Sequence, residues 1–147
     1  MRISEPRTII DPYEWLPGYG ESSVAIVSEG LKLAIVVRYD HENIPSGQMH
    51  LAEREFRFEY APAFLEQPFP GGFAFEVVGD ARDLKLGRLT EFQSSEFIDG
   101  YLSGRATVTS HPLPRVRHFS IQFLAENLDV HVLAAGVSLS EEVIVQA

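Results

Sequence analysis

Cysteine is absent from the 147 residues. Disulfides, thiolate metal sites and cysteine nucleophiles are therefore excluded. Long apolar runs are missing too: stretches such as Leu33-Ala34-Ile35-Val36-Val37 are as long as they get, against the roughly 18 apolar residues of a membrane span. The opening Met1-Arg2-Ile3-Ser4-Glu5-Pro6-Arg7 has no apolar core of the kind a signal peptide carries. With the absent thiols, that makes the cytoplasm the expected compartment. Basic residues are scarce: 12 Lys and Arg stand against 21 Asp and Glu, for a net charge of −9. Nucleic acid is a poor partner for such a chain, since phosphate binding needs a basic footprint. Acidity keeps the chain soluble and speeds its association with a basic partner.

Signatures of phosphate binding and acyl transfer are lacking as well. Gly18-Tyr19-Gly20 misses the third glycine and the strand-to-helix setting of a dinucleotide loop. Gly20-Glu21-Ser22-Ser23-Val24 misses the last glycine of a nucleophile elbow. No catalytic, cofactor-binding or metal-ligating residues are assigned.

What is present is patterning. Hydrophobic residues make up 45% of the chain, with ten Phe and five Tyr, enough for one domain with a core of its own. In 118–135, Phe119, Ile121, Phe123 and Ala125 alternate with polar residues, and Leu128, Val130, Val132 and Ala134 do the same. Period-two alternation puts one set on one face of a sheet, so the stretch reads as a hairpin with a dry and a wet side. With Glu126-Asn127 as a two-residue turn, His131 falls opposite Gln122. His118 then lies about 13 Å away along the strand, at roughly 3.4 Å per residue, too far for the two histidines to share a zinc ion.

A second hairpin spans 22–40 around Glu29-Gly30, with a bulge expected at Gly30 because Glu29 disfavours positive φ. Val24 and Ile26 share a face with Leu33, Ile35 and Val37. Ala25, Val27, Ala34 and Val36 make the opposite face apolar too, so these strands are expected to be covered on both sides. Phe56, Phe58 and Tyr60 alternate with Glu55, Arg57 and Glu59 in a strand over 50–60. Further strands are expected at 73–79, 84–92, 105–109 and 137–145. Residues 93–101 fit a short helix or an irregular strand. Prolines exclude a helix or central strand over 61–72. Residues 1–21 read as an irregular arm packed on the domain. The expectation is a single all-β domain over 1–147, with room for one short helix, built as an antiparallel β-sandwich or partly open barrel of about eight strands.

The five histidines show no metal spacing and read as solvated. Asp40-His41-Glu42-Asn43 has the acid density of a calcium loop without its ligand pattern, and Ser140-Glu141-Glu142 resembles a helix start. The most distinctive side chains are aromatics among turn formers. Trp15, Tyr19, Phe64 and Phe69 are the candidate partner-binding residues, because buried aromatics dominate interface energies. The alternative is that Trp15 caps one end of the core while Phe64 and Phe69 close an end of the sheet.

Three stretches together resemble small all-β bacterial immunity-type proteins of polymorphic toxin systems. They are Trp15-Leu16-Pro17-Gly18-Tyr19-Gly20-Glu21-Ser22, Glu55-Phe56-Arg57-Phe58-Glu59-Tyr60, and the run from Arg117-His118-Phe119-Ser120-Ile121 through Val130-His131-Val132 to Ala134-Ala135-Gly136-Val137. Members of that group often carry His-Asp where this chain has Gly20-Glu21. The resemblance implies a small cytoplasmic binder that neutralises a partner protein. The leading expectation is thus a non-enzymatic, acidic protein-binding module with a protein partner or self-association, and no cofactor, nucleic acid or membrane. A small-ligand-binding β-barrel, or an enzyme built on one, is the second reading, with His50, Tyr60 and Trp15 as residues to test. A structural subunit of a homo-oligomeric assembly, paired through an uncovered β edge, is the third.

Overall fold

Alternating side chains dictate the architecture. The computed structural model describes residues 1–146. Within them, two sheets pack through their apolar faces. The first runs β5 (Ala63–Pro68), β9 (Leu128–Ala134), β8 (Arg117–Phe123), β7 (Leu89–Ser95), β1 (Arg2–Ile10), β6 (Glu76–Val77). One of the two sheets curls into a half-barrel. The second runs β10 (Gly136–Leu139), β4 (Gln48–Glu59), β3 (Lys32–Asn43), β2 (Ser23–Glu29), with β11 (Val143–Gln146) also on β4. The core between them joins Ile35, Val37, Tyr39, Phe56 and Phe58 to Phe119, Ile121, Phe123, Val130 and Val132. The all-β class holds. The described residues hold eleven strands, more than expected, because the C-terminal stretch divides into two short strands and the first residues form one as well.

That first strand corrects the irregular arm expected over 1–21. β1 pairs with β7 along most of its length and with β6 only at Arg2 and Ile3. Pro6 therefore lies where β1 has a neighbour on one side only, so its missing N–H costs no ladder bond. Glu5, at φ 57, interrupts the alternation. Only residues 11–22 behave as an arm. They start in a 3-10 turn, Pro12–Glu14, with the Asp11 carboxylate accepting from Tyr13 N at 3.0 Å. The arm ends where Glu21 Oε1 accepts from Glu126 N at 3.1 Å.

The β2–β3 hairpin pairs Val24 with Val37 and Ile26 with Ile35, the faces expected. Its register runs unbroken to Glu29–Lys32. The turn is Gly30-Leu31, and Gly30 takes φ 59 itself, so no bulge is needed. Residues 61–72, without a central strand, hold the edge strand β5. Of 73–79 only two residues pair as β6, and 105–109 closes a helix instead of forming a strand. Glu141 and Glu142 connect two strands and start no helix.

A third layer covers the other face of the larger sheet. The chain leaves β5 at one edge, crosses that face, and joins β1 at the far edge as β6. Residues 69–88 form this strap. Beside it lies helix α1 (Glu96–Ala106), capped by the Ser95 hydroxyl, which accepts from Ile98 N at 3.3 Å. Glu96 and Asp99 in the first turn and Arg105 in the last suit its dipole. Phe97, Ile98, Tyr101 and Arg105 are its half-buried side. No helix among the described residues is long and apolar enough to cross a membrane.

Candidate functional site

The wet side expected for the 118–135 hairpin is dry. Ser120, Gln122, Asp129 and His131 are buried, and His118 is fully so. The reason is the third layer, which lies on this face. The turn also differs: Phe123 pairs with Leu128 around the four residues 124–127, and His131 stands opposite Ser120. His118 is then a diagonal neighbour of His131 instead of lying a strand's length away. Their separation gives no bar to contact, and their rings meet.

The buried polar side chains form one connected chain. Ser95 Oγ is 2.7 Å from His118 Nδ1, and His118 Nε2 is 2.8 Å from His131 Nδ1. His131 Nε2 lies 3.1 Å from Asp129 Oδ2. Gln67 Nε2 donates to the same carboxylate at 2.8 Å, and Gln122 Nε2 donates at 3.0 Å. Donor and acceptor counting sets the direction at Asp129: the ionised carboxylate accepts only, so His131 Nε2 donates to it. His118, held neutral by burial, has one ring N–H to share between His131 Nδ1 and Ser95 Oγ.

Burial, aided by the neighbouring His131, pushes the His118 pKa down to about 3. Burial pushes Asp129 up, but its His131, Gln67 and Gln122 donors outweigh it and hold the carboxyl below its ordinary value. Aromatic rings close over the pair. Phe75 of the strap stacks on His131 with ring centres 3.8 Å apart, and Phe97 of α1 meets His118 edge-on at 5.4 Å.

A serine, two histidines and an aspartate in series invite a catalytic reading. The geometry opposes it at the serine. Ser95 Oγ accepts the α1 N-terminal N–H, and the residue is 5% exposed. A cavity of about 210 Å³ under the strap reaches Asp129 and His131, but neither Ser95 nor His118 lines it. A nucleophile needs its acyl donor at Oγ, which here sits beneath the helix it caps. The chain of bonds acts as a lock between sheet, helix and strap. A shared metal is opposed by distance in the other sense: two ligands of one tetrahedral zinc stand about 3.3 Å apart, whereas the two ring nitrogens are within hydrogen-bond contact. No three His, Asp or Glu side chains among the described residues converge as a metal site.

Comparison with protein families, with curated proteins and with solved structures gives no match.

The four candidate aromatics are divided among three elements, the arm, β5 and the strap. Trp15 packs on the core, its ring 4.9 Å from Tyr39 and 6.2 Å from Phe56, with the Arg54 guanidinium 5.4 Å above it. Tyr19 is 63% exposed and donates its hydroxyl to Asp40 at 2.8 Å. Phe64 is exposed on edge strand β5, while Phe69 is half-buried and lines the cavity under the strap. His50, Tyr60 and Trp15 form no common pocket: His50 faces His41 across β3–β4, and the Tyr60 hydroxyl lies 3.5 Å from that of Tyr101.

One expected covering is missing among the described residues. The outer face of the smaller sheet, with Ala25 and Val27 exposed and Ala34 and Val36 half-exposed, carries no layer. It is bordered by Glu53, Glu55, Arg57 and Ser138 from β4 and β10, with a shallow hollow of about 490 Å³ at the Glu29 and Glu59 end. The strand β2 ends this sheet and leaves one edge free.

Proposed function

We propose that the protein is a non-enzymatic binding module that takes a partner protein on the free edge and open face of the smaller sheet. The observation that carries this is β2. Its seven residues, Ser23-Val24-Ala25-Ile26-Val27-Ser28-Glu29, form an edge strand with an apolar centre. Proteins blunt such edges with lysine, proline, bulges or a covering element. β2 has none of these, and the face beside it carries Ala25 and Val27 in the open. An edge left in this state suits a strand or apolar patch from another chain.

Charge selects the partner's character. Glu29, Glu55 and Glu59 rim the hollow beside the face together with Lys32 and Arg57, the latter paired with Glu55 at 2.9 Å, and the chain carries −9 overall. Two copies repel each other, whereas a basic partner is drawn in. The resemblance to immunity-type proteins supports the same class, a small chain that neutralises another protein by covering it.

The product of the neighbouring gene is the first partner to test. Titration calorimetry should give saturable binding to the wild-type chain and at least about tenfold weaker binding to Val27→Lys, the loss expected of an apolar contact replaced by a charge. Binding that Val27→Lys leaves intact would remove this face from consideration. Light scattering that finds a stable dimer separated by Val27→Lys would place a second copy there instead.

A further inference from the structure

We propose that the hollow at the C-terminal end of α1 binds the phosphate group of a small molecule with an apolar body. The site belongs to the layer outside the larger sheet, so it is independent of the open face of the smaller sheet. Charge points to it first. The chain holds 21 acids, yet residues 100–125 contain no Asp or Glu and carry Arg105, His111, Arg115, Arg117 and His118. Arg117 is taken by Glu91, and His118 is buried. Arg105 and Arg115 form no ion pair among the described residues, whereas the paired arginines are Arg7, Arg38, Arg57, Arg82, Arg88 and Arg117. A second basic hollow, beside β1, is already balanced: Arg7 pairs with Glu91, Arg88 with Asp11, and Asp83 lines it.

The hollow measures about 490 Å³ and opens to solvent. Arg105, Thr109, Ser110 and His111 line its polar part, Leu102 and Leu113 its apolar part. Each of the four polar side chains can donate a hydrogen bond, and no carboxylate joins them. Thr109 Oγ1 accepts from His111 N at 3.1 Å, which leaves its own O–H to give. Arg105 is the decisive residue. Its Nε is shut from water with no partner, and no carboxylate offsets its charge. Drawing part of an uncompensated cation out of water is costly, and an anion relieves the cost. That anion meets the terminal nitrogens, which stay open at the hollow, and not Nε. A helix C-terminus is a negative pole that repels anions. Here the Arg105 carbonyl accepts from Val108 N and Thr109 N, each at 3.0 Å, and the Gly104 carbonyl from the Thr107 hydroxyl at 2.7 Å, so the pole is blunted. A guanidinium fork and two hydroxyls match the three oxygens of a phosphate monoester better than the two of a carboxylate.

Phenyl phosphate, benzoate and benzamide test this, being alike in the ring and different in the head. In NMR titrations of the wild-type chain, phenyl phosphate should shift the amides of Arg105, Thr109 and Ser110 saturably. Benzoate should bind several-fold more weakly, and uncharged benzamide at least about tenfold more weakly, the worth of a charge-assisted contact. Inorganic phosphate should also fall behind phenyl phosphate, having no ring to set on Leu102 and Leu113. Arg105→Met should weaken phenyl phosphate at least about tenfold, and Ser110→Ala should narrow its lead over benzoate. Absence of saturable shifts with phenyl phosphate overturns the site, as does equal binding of benzamide or binding that survives Arg105→Met. Benzoate that matches phenyl phosphate overturns the choice of phosphate, and inorganic phosphate that matches it overturns the apolar body. If Arg105→Met fails to fold, salt decides on the wild-type chain: about 0.5 M NaCl should weaken phenyl phosphate and leave benzamide unchanged, and an unchanged phenyl phosphate affinity overturns the site.

Discussion

His118 Nε2 and His131 Nδ1 meet at 2.8 Å in a layer that shuts both rings from water. Burial holds His118 neutral, and acid must charge it. The unfolded chain binds a proton at His118 near its ordinary 6.5, whereas the folded chain does so only at about 3. Stability is therefore full above pH 6.5 and falls as the pH drops through this window. The loss should reach about 2 kcal/mol by pH 5. Urea midpoints at pH 7 and pH 5 measure it, and His118→Phe should flatten the difference. A wild-type midpoint that holds steady between the two would refute a buried, neutral His118. Any steeper fall below about pH 4 belongs to Asp129 and Glu91, whose carboxyls lie below their usual range.

The strap is tied down at Gln67, and Gly72 makes room for that tie. A Cβ on Gly72 would stand 2.4 Å from the Gln67 side-chain carbon. Gly72→Ala should push the amide aside and break its bonds to Asp129 and Ala74, at about 1–3 kcal/mol. Phe73, 94% exposed in the adjoining turn, supplies a ready chymotrypsin site. Cleavage there should be several-fold faster in Gly72→Ala than in the wild type. Equal rates would mean that the amide does not hold the strap.

Tyr39 is fully buried, donates its hydroxyl to Glu142 at 2.5 Å and accepts from Arg54 Nε at 3.2 Å. Burial, then the bond to Glu142, raises its pKa to about 12. Its contribution to stability is intact below pH 10 and is lost as the pH climbs toward 12. Absorbance at alkaline pH should show one tyrosine ionising after the others, and Tyr39→Phe should remove that late step. The same change should lower stability by about 1 kcal/mol.

Glu91 gathers two arginines. Arg117 donates to it twice, at 2.8 and 2.7 Å, and Arg7 donates once at 2.7 Å. The Glu91 side chain is 9% exposed, whereas Arg7 is 56% exposed. Removing the buried charge should therefore cost more than removing the solvated one. Glu91→Gln is expected to lose about 1–2 kcal/mol and Arg7→Ala under about 1 kcal/mol, both by thermal unfolding. The opposite order would contradict the ion-pair assignment.

Alternation in the sequence identified the inner faces of both hairpins correctly, because a face depends only on odd and even positions. Neighbours depend on register, and there the reading slipped. A two-residue turn at Glu126-Asn127 moves every partner by two positions, which leaves Phe119 and Val130 on the core side but separates His118 from His131. Leu124 and Ala125 look like strand and turn out to be loop. The burial of the polar face was hidden for another reason: what covers it, the strap and α1, is far away in sequence. A clue was present in Phe97, Ile98 and Tyr101, a stripe needing a surface to lie on. β1 went unread because Glu5 and Pro6 interrupt it.

The placement of β1 has a consequence for how the chain assembles. Its principal neighbour is β7, so Ile3 pairs with Ser95 across most of the larger sheet's sequence. A ribosome releases β1 long before β7 exists, and in that interval its apolar residues have no permanent partner. Local hairpins such as β2–β3 and β8–β9 close over short loops, whereas the β1–β7 ladder must wait for a loop-closure entropy cost to be met by contacts made elsewhere. Docking should therefore come late for β1: it is made well before its partner β7, and agents that hold nascent chains will find it a persistent segment to shield.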